Sequence, residues 1–345
     1  MLKKMTVALA LVLLLAGCSS KSRLVIYTWS EMFPQEILAG FEKETGIRIR
    51  YVNFDTNETM IARLQAEKKG RYDLVIADDY MLENVINEGL AQKIERPRLS
   101  NYRNINPFYQ NQFYDPSDEY TVPYGAGVQT IVYDPQRVSI PITGYWDLWH
   151  PALAQRLGII DNFRVINGMA LKVIGQSYNT NDLGVIQEAG EFLKTLAPNI
   201  RLIRDDNLQD ELVSGEISAA VMYTSQVTMA KMARPDLEIV FPREGIGFGI
   251  MGAFVPANAP NAAAAYAFLN YILDAQRGAR CFEYLGYYST FSASDRFIDE
   301  EYREFLTLPE DFRHFGNMEM IQNVSAEAEA LHSRIWTEFK AAAGK

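Results

Sequence analysis

The sequence predicts an α/β protein of two lobes, each a mainly parallel sheet flanked by helices, with a ligand cleft between the lobes. Three observations lead there. The chain has 345 residues, room for about two domains. Between residues 24 and 87, short β-type runs alternate with amphipathic stretches in the order βαβαβα. Those β-type runs lack polar alternation, which marks strands covered on both faces.

The elements follow in order. Leu24-Val25-Ile26-Tyr27-Thr28 is a compact strand, Pro34 opens a helix with Ile37, Leu38 and Phe41 at helical spacing, and Gly46 closes it. A strand at Ile47 to Val52, a helix through Met60, Ala62 and Leu64, a strand at Leu74 to Ala77 and a helix near Leu82 to Asn87 complete the first set. Tyr120 to Pro123 and Thr130 to Tyr133 read as separate extended segments at a crossover. A second set comprises a strand at Gly158 to Ile160, helices at Met169 to Ile174 and Val185 to Leu196, a strand at Leu202-Ile203, a helix near Asp210 to Ser214 and a strand at Ala219 to Met222. Extended stretches at Glu238 to Pro242 and Ala253 to Pro256 then lead back to an Ala-rich helix, Ala262 to Leu273. The expected division is residues 23–129 with 253–290 as lobe one, and 130–252 with 291–345 as lobe two. Ligands of such sheets sit beyond the carboxyl ends of the strands, here Trp29-Ser30-Glu31 and Asp78-Asp79-Tyr80. A chain that crosses between lobes and returns places a cleft at the crossings.

Composition excludes several classes. Hydrophobic residues at 48%, charged residues at 22%, 14 Pro and 22 Gly describe an ordinary globular chain. With 43 acidic against 33 basic residues the net charge is −10, the wrong sign for a nucleic-acid partner. Lys3 and Lys4 precede an apolar run, Val7 to Leu15, that is too short to span about 30 Å of hydrocarbon. The run ends Leu15-Ala16-Gly17-Cys18, the small-residue pattern before a lipid-modified cysteine. Residues 1–17 are therefore expected to be a signal peptide and 18–22 a polar tether. Acylated Cys18 would hold the domain at the extracytoplasmic face of a membrane. Cys281 then has no intramolecular partner and reads as a small buried hydrophobe.

Signatures of catalysis are sparse. Histidine occurs only at His150, His314 and His332, with no zinc-protease motif and no nucleophile elbow. Gly247-Phe248-Gly249-Ile250-Met251-Gly252 matches a dinucleotide fingerprint, but an extended segment follows it where that motif requires a helix. It reads instead as a glycine-rich hinge or cleft-lining strand. Acidic pairs stand at strand ends, Asp78-Asp79 and Asp205-Asp206, with Trp29, Tyr80, Tyr223 and Tyr287-Tyr288 at comparable positions. Carboxylates combined with aromatic faces suit an organic cation, through charge-assisted bonds and cation–π contacts. No enzyme activity, metal or cofactor is implied.

A resemblance then becomes specific. Tyr27-Thr28-Trp29-Ser30-Glu31, Phe41-Glu42-Lys43-Glu44-Thr45-Gly46, Asn57-Glu58-Thr59-Met60, Tyr72-Asp73-Leu74-Val75, Glu88 to Ile94 and Val255 to Ala259 resemble the bacterial spermidine/putrescine-binding periplasmic proteins, from about Leu24 onward. The resemblance implies the two-lobed periplasmic-binding-protein fold, a polyamine or related organic cation as ligand, delivery to an ABC permease, and a monomer. It further implies a pocket in which Trp29, Tyr80 and Tyr287 are aromatic walls, Glu31 accepts an amine, and Gln322 is a polar end contact. Ser30 belongs to the same strand-end group, and Tyr223 stands where the family usually has a Trp. There are departures. Asn162 and Val165 occupy places where acidic residues pair the central amines, and Gly249 and Met251 stand where a Trp and an Asp are expected. Asp78 and Asp205 replace small hydroxyl residues, so the negative charge is relocated. This favours a putrescine-like diamine, or a monoamine with an apolar body, over spermidine. Two other readings stay open: an extracytoplasmic amine sensor for a membrane signalling protein, and a ferric-ion-binding protein using Tyr287-Tyr288.

Overall fold

The computed structural model describes residues 22–204, 207–305 and 317–345. Residues 1–21, including Cys18, and the pair Asp205-Asp206 lie outside the described residues.

Strands β1 (Arg23–Thr28), β2 (Arg48–Asn53) and β3 (Leu74–Asp78) are parallel, in the order β2-β1-β3, with Ile26 opposite Tyr51 on one side and Leu74 on the other. Each crossover carries a helix, α1 (Gln35–Thr45) and α2 (Asn57–Ala66), and α3 (Asp79–Asn87) follows β3 directly. Gly46 ends α1 in the left-handed region, φ 73°, where a side chain would be strained. Alternate residues of these strands enter different cores. Leu24, Ile26, Leu74 and Ile76 pack with Phe268, Leu269 and Phe282, whereas Val25, Tyr27, Val75 and Ala77 pack with Met60, Leu64, Leu82 and Val85. Both sheet faces are thus covered, which is why the strands read as unbroken apolar runs.

Beyond β3 lie two long strands, β4 (Thr121–Tyr133) and, after the second lobe, β9 (Ile246–Phe254), antiparallel to each other. The two extended segments expected at Tyr120 to Pro123 and Thr130 to Tyr133 are thus one strand of 13 residues. The Gly125-Ala126-Gly127 run between them is extended and pairs with Met251, Ile250 and Gly249. Its amino-terminal half pairs with β9 in the first sheet. Its carboxyl-terminal half pairs with β7 (Ala219–Tyr223) of the second, with Ile131 opposite Val221. There β5 (Leu157–Ile159) runs parallel to both β6 (Ile200–Ile203) and β7. Short strands complete the edges: β8 (Glu238–Val240) and β10 (Tyr288–Ser289) on β4, and β11 (Met318–Met320) on β9.

The second lobe centres on a cluster in which Ile131, Ile159 and Val221 meet Ile335, Trp336 and Phe339 of the final helix, Ala326–Ala342. Its helix α4 (Phe163–Val173) starts six residues before the expected Met169, because the Asn162 side chain caps it by accepting from Val165 N at 3.1 Å. The expected boundary after residue 290 is not where the packing changes. Phe291 belongs to the first-lobe cluster, Ile298 and Tyr302 pack on Ala279, and Tyr302 OH donates to Phe282 O at 3.0 Å. Cys281 is fully buried, and burial pushes its thiol up to about 12, as a packing residue requires. Among the described residues no helix is long and apolar enough to cross a membrane.

The entry into β4 is fixed by one buried carboxylate. Asp115 accepts from Glu119 N, Tyr120 N, Thr121 N and Thr121 Oγ1 at 2.8–2.9 Å. Asp115→Ala should leave these donors without a partner and lower stability by about 2 kcal/mol or more, measured as the denaturant midpoint at unchanged slope.

Candidate functional site

The parallel registers place β1 and β3 side by side, so Trp29-Ser30-Glu31 and Asp78-Asp79-Tyr80 emerge at the same sheet edge. β5 and β7 do likewise in the second lobe, bringing out Asn162 and Tyr223. Between the two edges run β4 and β9.

In the first lobe Asn57, the first residue of α2, organises the group. Its Nδ2 donates to Asp78 Oδ2 at 2.9 Å and to Tyr80 OH at 2.7 Å. Asp78 is partly buried at the edge, and burial pushes its carboxyl up to about 6, the Asn57 bond opposing. Asp79 is buried, 2% exposed. Its Oδ1 accepts from Tyr80 N at 2.8 Å, and its Oδ2 accepts from Ile250 N on β9 at 2.9 Å. Burial raises this carboxyl well above its ordinary range, and the neighbouring Asp78 adds to the effect. Neither aspartate has a cationic side chain as partner among the described residues. Tyr80 is held well above the usual phenol range, first by burial and then by the charges of Asp78, Glu58 and Glu329. Negative potential therefore converges on Tyr80 from both lobes.

The aromatic walls are built differently from one another. Trp29 is half-buried, edge-on to Phe54 with centroids 4.5 Å apart, and its carbonyl accepts from Tyr51 OH at 2.9 Å. Tyr287 lies over β4: a Cβ added at Gly127 would stand 2.9 Å from its Cε1. Tyr223 OH accepts from Asn162 Nδ2 at 3.0 Å. Ser30 and Glu31 are exposed, Glu31 with φ 56°, and Glu31 makes no ion pair among the described residues. Gln322 is exposed, with its carbonyl held by Arg164 Nη2 at 3.0 Å and its N–H by Asn179 Oδ1 at 2.8 Å. Asp205 lies outside the described residues.

Asp79, named with Asp78 at the strand end, turns from it and buries its carboxylate against β9. Three contributors escaped the sequence reading. Asn57 stood within a quoted motif without a role. Arg164 is buried and pairs with Glu329 at 3.2 Å. Asn323 bridges the lobes, Nδ2 lying 3.1 Å from Glu83 Oε2 and 3.2 Å from Asn84 Oδ1 of α3. None of these has a local sequence signature, because each acts across long sequence separations.

A surface depression of about 540 Å³ on the second lobe, lined by Lys172, Ser177, Glu244 and Glu319, lies apart from these residues. Lys172 and Glu319 pair there at 2.6 Å, and Glu244 accepts from Tyr145 N and Trp146 N, each at 3.0 Å. Among the described residues no group of three or more His, Cys, Asp or Glu is placed to hold a metal ion.

Residues 36–304 match the family described as bacterial extracellular solute-binding protein. The chain belongs to that family. A spermidine/putrescine-binding periplasmic protein of Salmonella typhimurium is 34% identical over 97% of this chain and 96% of its own length. A putrescine-binding periplasmic protein of Pseudomonas aeruginosa is 25% identical over 94% of each chain. Among solved structures, the spermidine/putrescine ABC transporter substrate-binding protein of Streptococcus pneumoniae superposes with TM-score 0.80 at 26% identity, over 93% of this chain and 99% of that one. This solute-binding protein thus has its family's two-lobed fold.

Titration should expose the electrostatics of the site directly. With the chain labelled at aspartate carboxyl carbons, NMR should show Asp78 titrating near pH 6. Asn57→Ala removes a bond to the ionised form and should move that midpoint to higher pH; an unchanged midpoint would mean that Asn57 does not hold the Asp78 carboxylate.

Proposed function

We propose that the chain is the substrate-binding component of an ABC importer for a small cationic amine, and that it performs no catalysis. The observation that carries this is the Asp78-Asp79 pair. Two carboxylates are withdrawn from water at one strand end and lack a cationic side-chain partner, so an ammonium ligand would supply the missing charge. Trp29, Tyr80, Tyr223 and Tyr287 are half-buried, and ring faces at such positions would suit a cationic ligand. The names carried by the Salmonella and Pseudomonas relatives support an amine as the ligand class.

Spermidine is the less suited polyamine. Asn162 spends its oxygen on capping α4, Val165 and Met251 are apolar, and Glu329 already pairs with Arg164. A middle ammonium would meet no free carboxylate from these positions, whereas a diamine or a monoamine needs only the first-lobe pair. Binding draws the lobes together about β4 and β9, and the closed form is what a permease recognises.

Calorimetric titration of the mature domain with an amine panel should find a diamine or monoamine preferred over spermidine. Asp78→Asn should weaken the best amine by about 1–3 kcal/mol. Since only ionised Asp78 attracts an ammonium, affinity should be steady above neutrality and fall as pH drops through about 6, and Asp78→Asn should flatten that limb. Spermidine winning by about tenfold would overturn the preference, and no binding by any amine would overturn the function.

The Leu15-Ala16-Gly17-Cys18 pattern supports a lipid anchor, with the domain held at the extracytoplasmic face. Cys18→Ala should abolish incorporation of labelled lipid and move the protein into the aqueous phase on detergent partitioning. Equal partitioning of mutant and parent would refute the anchor.

A further inference from the structure

Away from the β4–β9 ribbon the lobes meet again through the Asn323 carboxamide. Asn323 stands between β11 and the final helix of the second lobe. Its Nδ2 donates to Glu83 Oε2 at 3.1 Å and to Asn84 Oδ1 at 3.2 Å, both on α3 of the first lobe, so both amide hydrogens cross the boundary. The backbone around it is pinned from within the second lobe. Asn179 Nδ2 donates to Met320 O at 2.7 Å and Asn179 Oδ1 accepts from Gln322 N at 2.8 Å. Buried Arg164 donates to Gln322 O at 3.0 Å, and Asn181 Oδ1 accepts from Ser325 N at 2.6 Å. The carboxamide therefore reaches out from a fixed base, and its bonds to α3 exist only while the lobes stand this close. That helix opens with Asp79 and Tyr80, so the contact grips the element that carries part of the strand-end group.

Charge explains why the bridging side chain is neutral. Among the described residues Glu83 pairs with no cation, and Asn323 is its hydrogen-bond donor. Burial raises the Glu329 carboxyl of the final helix, Arg164 opposes, and the charge of Glu58 on α2 adds to the rise. Carboxylates of both lobes thus face this rim, and a contact that closes it has to donate without adding negative charge. Resting on the proposed closure of the lobes over an amine, we infer that Asn323 is the positioning residue that latches the lobes together. It touches no ligand, and its bonds to Glu83 and Asn84 add one common increment to the affinity of every amine that closes the cleft. A contact made only in the closed form favours any ligand that selects that form, and it leaves the ratio between ligands unchanged.

The test is calorimetric titration of putrescine, n-butylamine and spermidine against the mature domain and three variants: Asn323→Ala, Asn323→Asp, and Asn323→Asp combined with Glu83→Gln. Asn323→Ala should weaken every amine that the parent binds by one common factor, about threefold or more. Asn323→Asp sets a carboxylate against Glu83 and should weaken them about tenfold or more, again equally. The direction is diagnostic, because an added carboxylate near the cleft would by attraction alone tighten a cation. The double variant has the parent's net charge and turns the pair round, with the amide on α3 and the carboxylate opposite, so affinity should return to within about threefold of the parent. Both residues are partly exposed, so the variants should melt close to the parent temperature. Should Asn323→Asp not fold, Asn323→Ala and Glu83→Ala carry the test: each should weaken every amine, and the two together no more than Asn323→Ala alone. Unchanged or tighter binding in the Asn323 variants, a loss confined to one amine, or a double variant no better than Asn323→Asp would overturn the latch while the amine receptor stands. Failure of every amine to bind the parent overturns the receptor reading and this inference together.

Discussion

The antiparallel pairing of β4 with β9 is the constraint on which the rest of the molecule depends. β4 hydrogen-bonds β9 over Thr121–Val128 and β7 over Gln129–Tyr133, so one continuous strand belongs to both sheets. The first lobe reaches that ribbon through β3 and the second through β7. Because the parallel strands of each lobe expose their carboxyl ends towards the ribbon, the site is an outcome of topology before any particular side chain is chosen.

On that frame the electrostatics are deliberately unbalanced. Part-buried Glu329 pairs with Arg164 and part-buried Glu319 with Lys172, whereas the buried carboxylates of Asp73 and Asp115 receive only neutral donors. Asp78 and Asp79 likewise receive only neutral donors: the Asn57 amide and the N–H groups of Tyr80 and Ile250. Such bonds hold the carboxyl groups in position, and burial raises both above their ordinary range. A site left in this state favours a ligand that brings positive charge, and it discriminates against anions through the same potential.

On the proposed reading the lobes divide the work, the first supplying charge and most of the aromatic surface. In the second, Asn162 ties α4 to Tyr223, and Asn323 reaches across to Glu83 and Asn84. Asn162 therefore works as a structural cap whose amide also orients a wall, a role that its place in the strand-end group did not reveal.

The sequence by itself determined the α/β class, the alternation of strands and helices, and the strand ends at Trp29–Glu31 and Asp78–Tyr80. These are local properties: apolar runs, helical spacing and a left-handed glycine at Gly46 are written into neighbouring residues. Only the tertiary structure decided that β4 is one strand, because the pairing partner of Gly125-Ala126-Gly127 lies more than a hundred residues away in β9. It alone decided that Phe291 and Tyr302 pack with the first lobe, that Asn57 joins Asp78 to Tyr80, and that Asp79 closes onto Ile250. The glycines of the hinge ribbon make the point most plainly. Gly125, Gly127, Gly247 and Gly249 look alike in sequence, yet side chains from distant segments crowd three, and among the described residues only Asp79 approaches the fourth. Burial and coverage are properties of the assembled chain, so no local pattern encodes them.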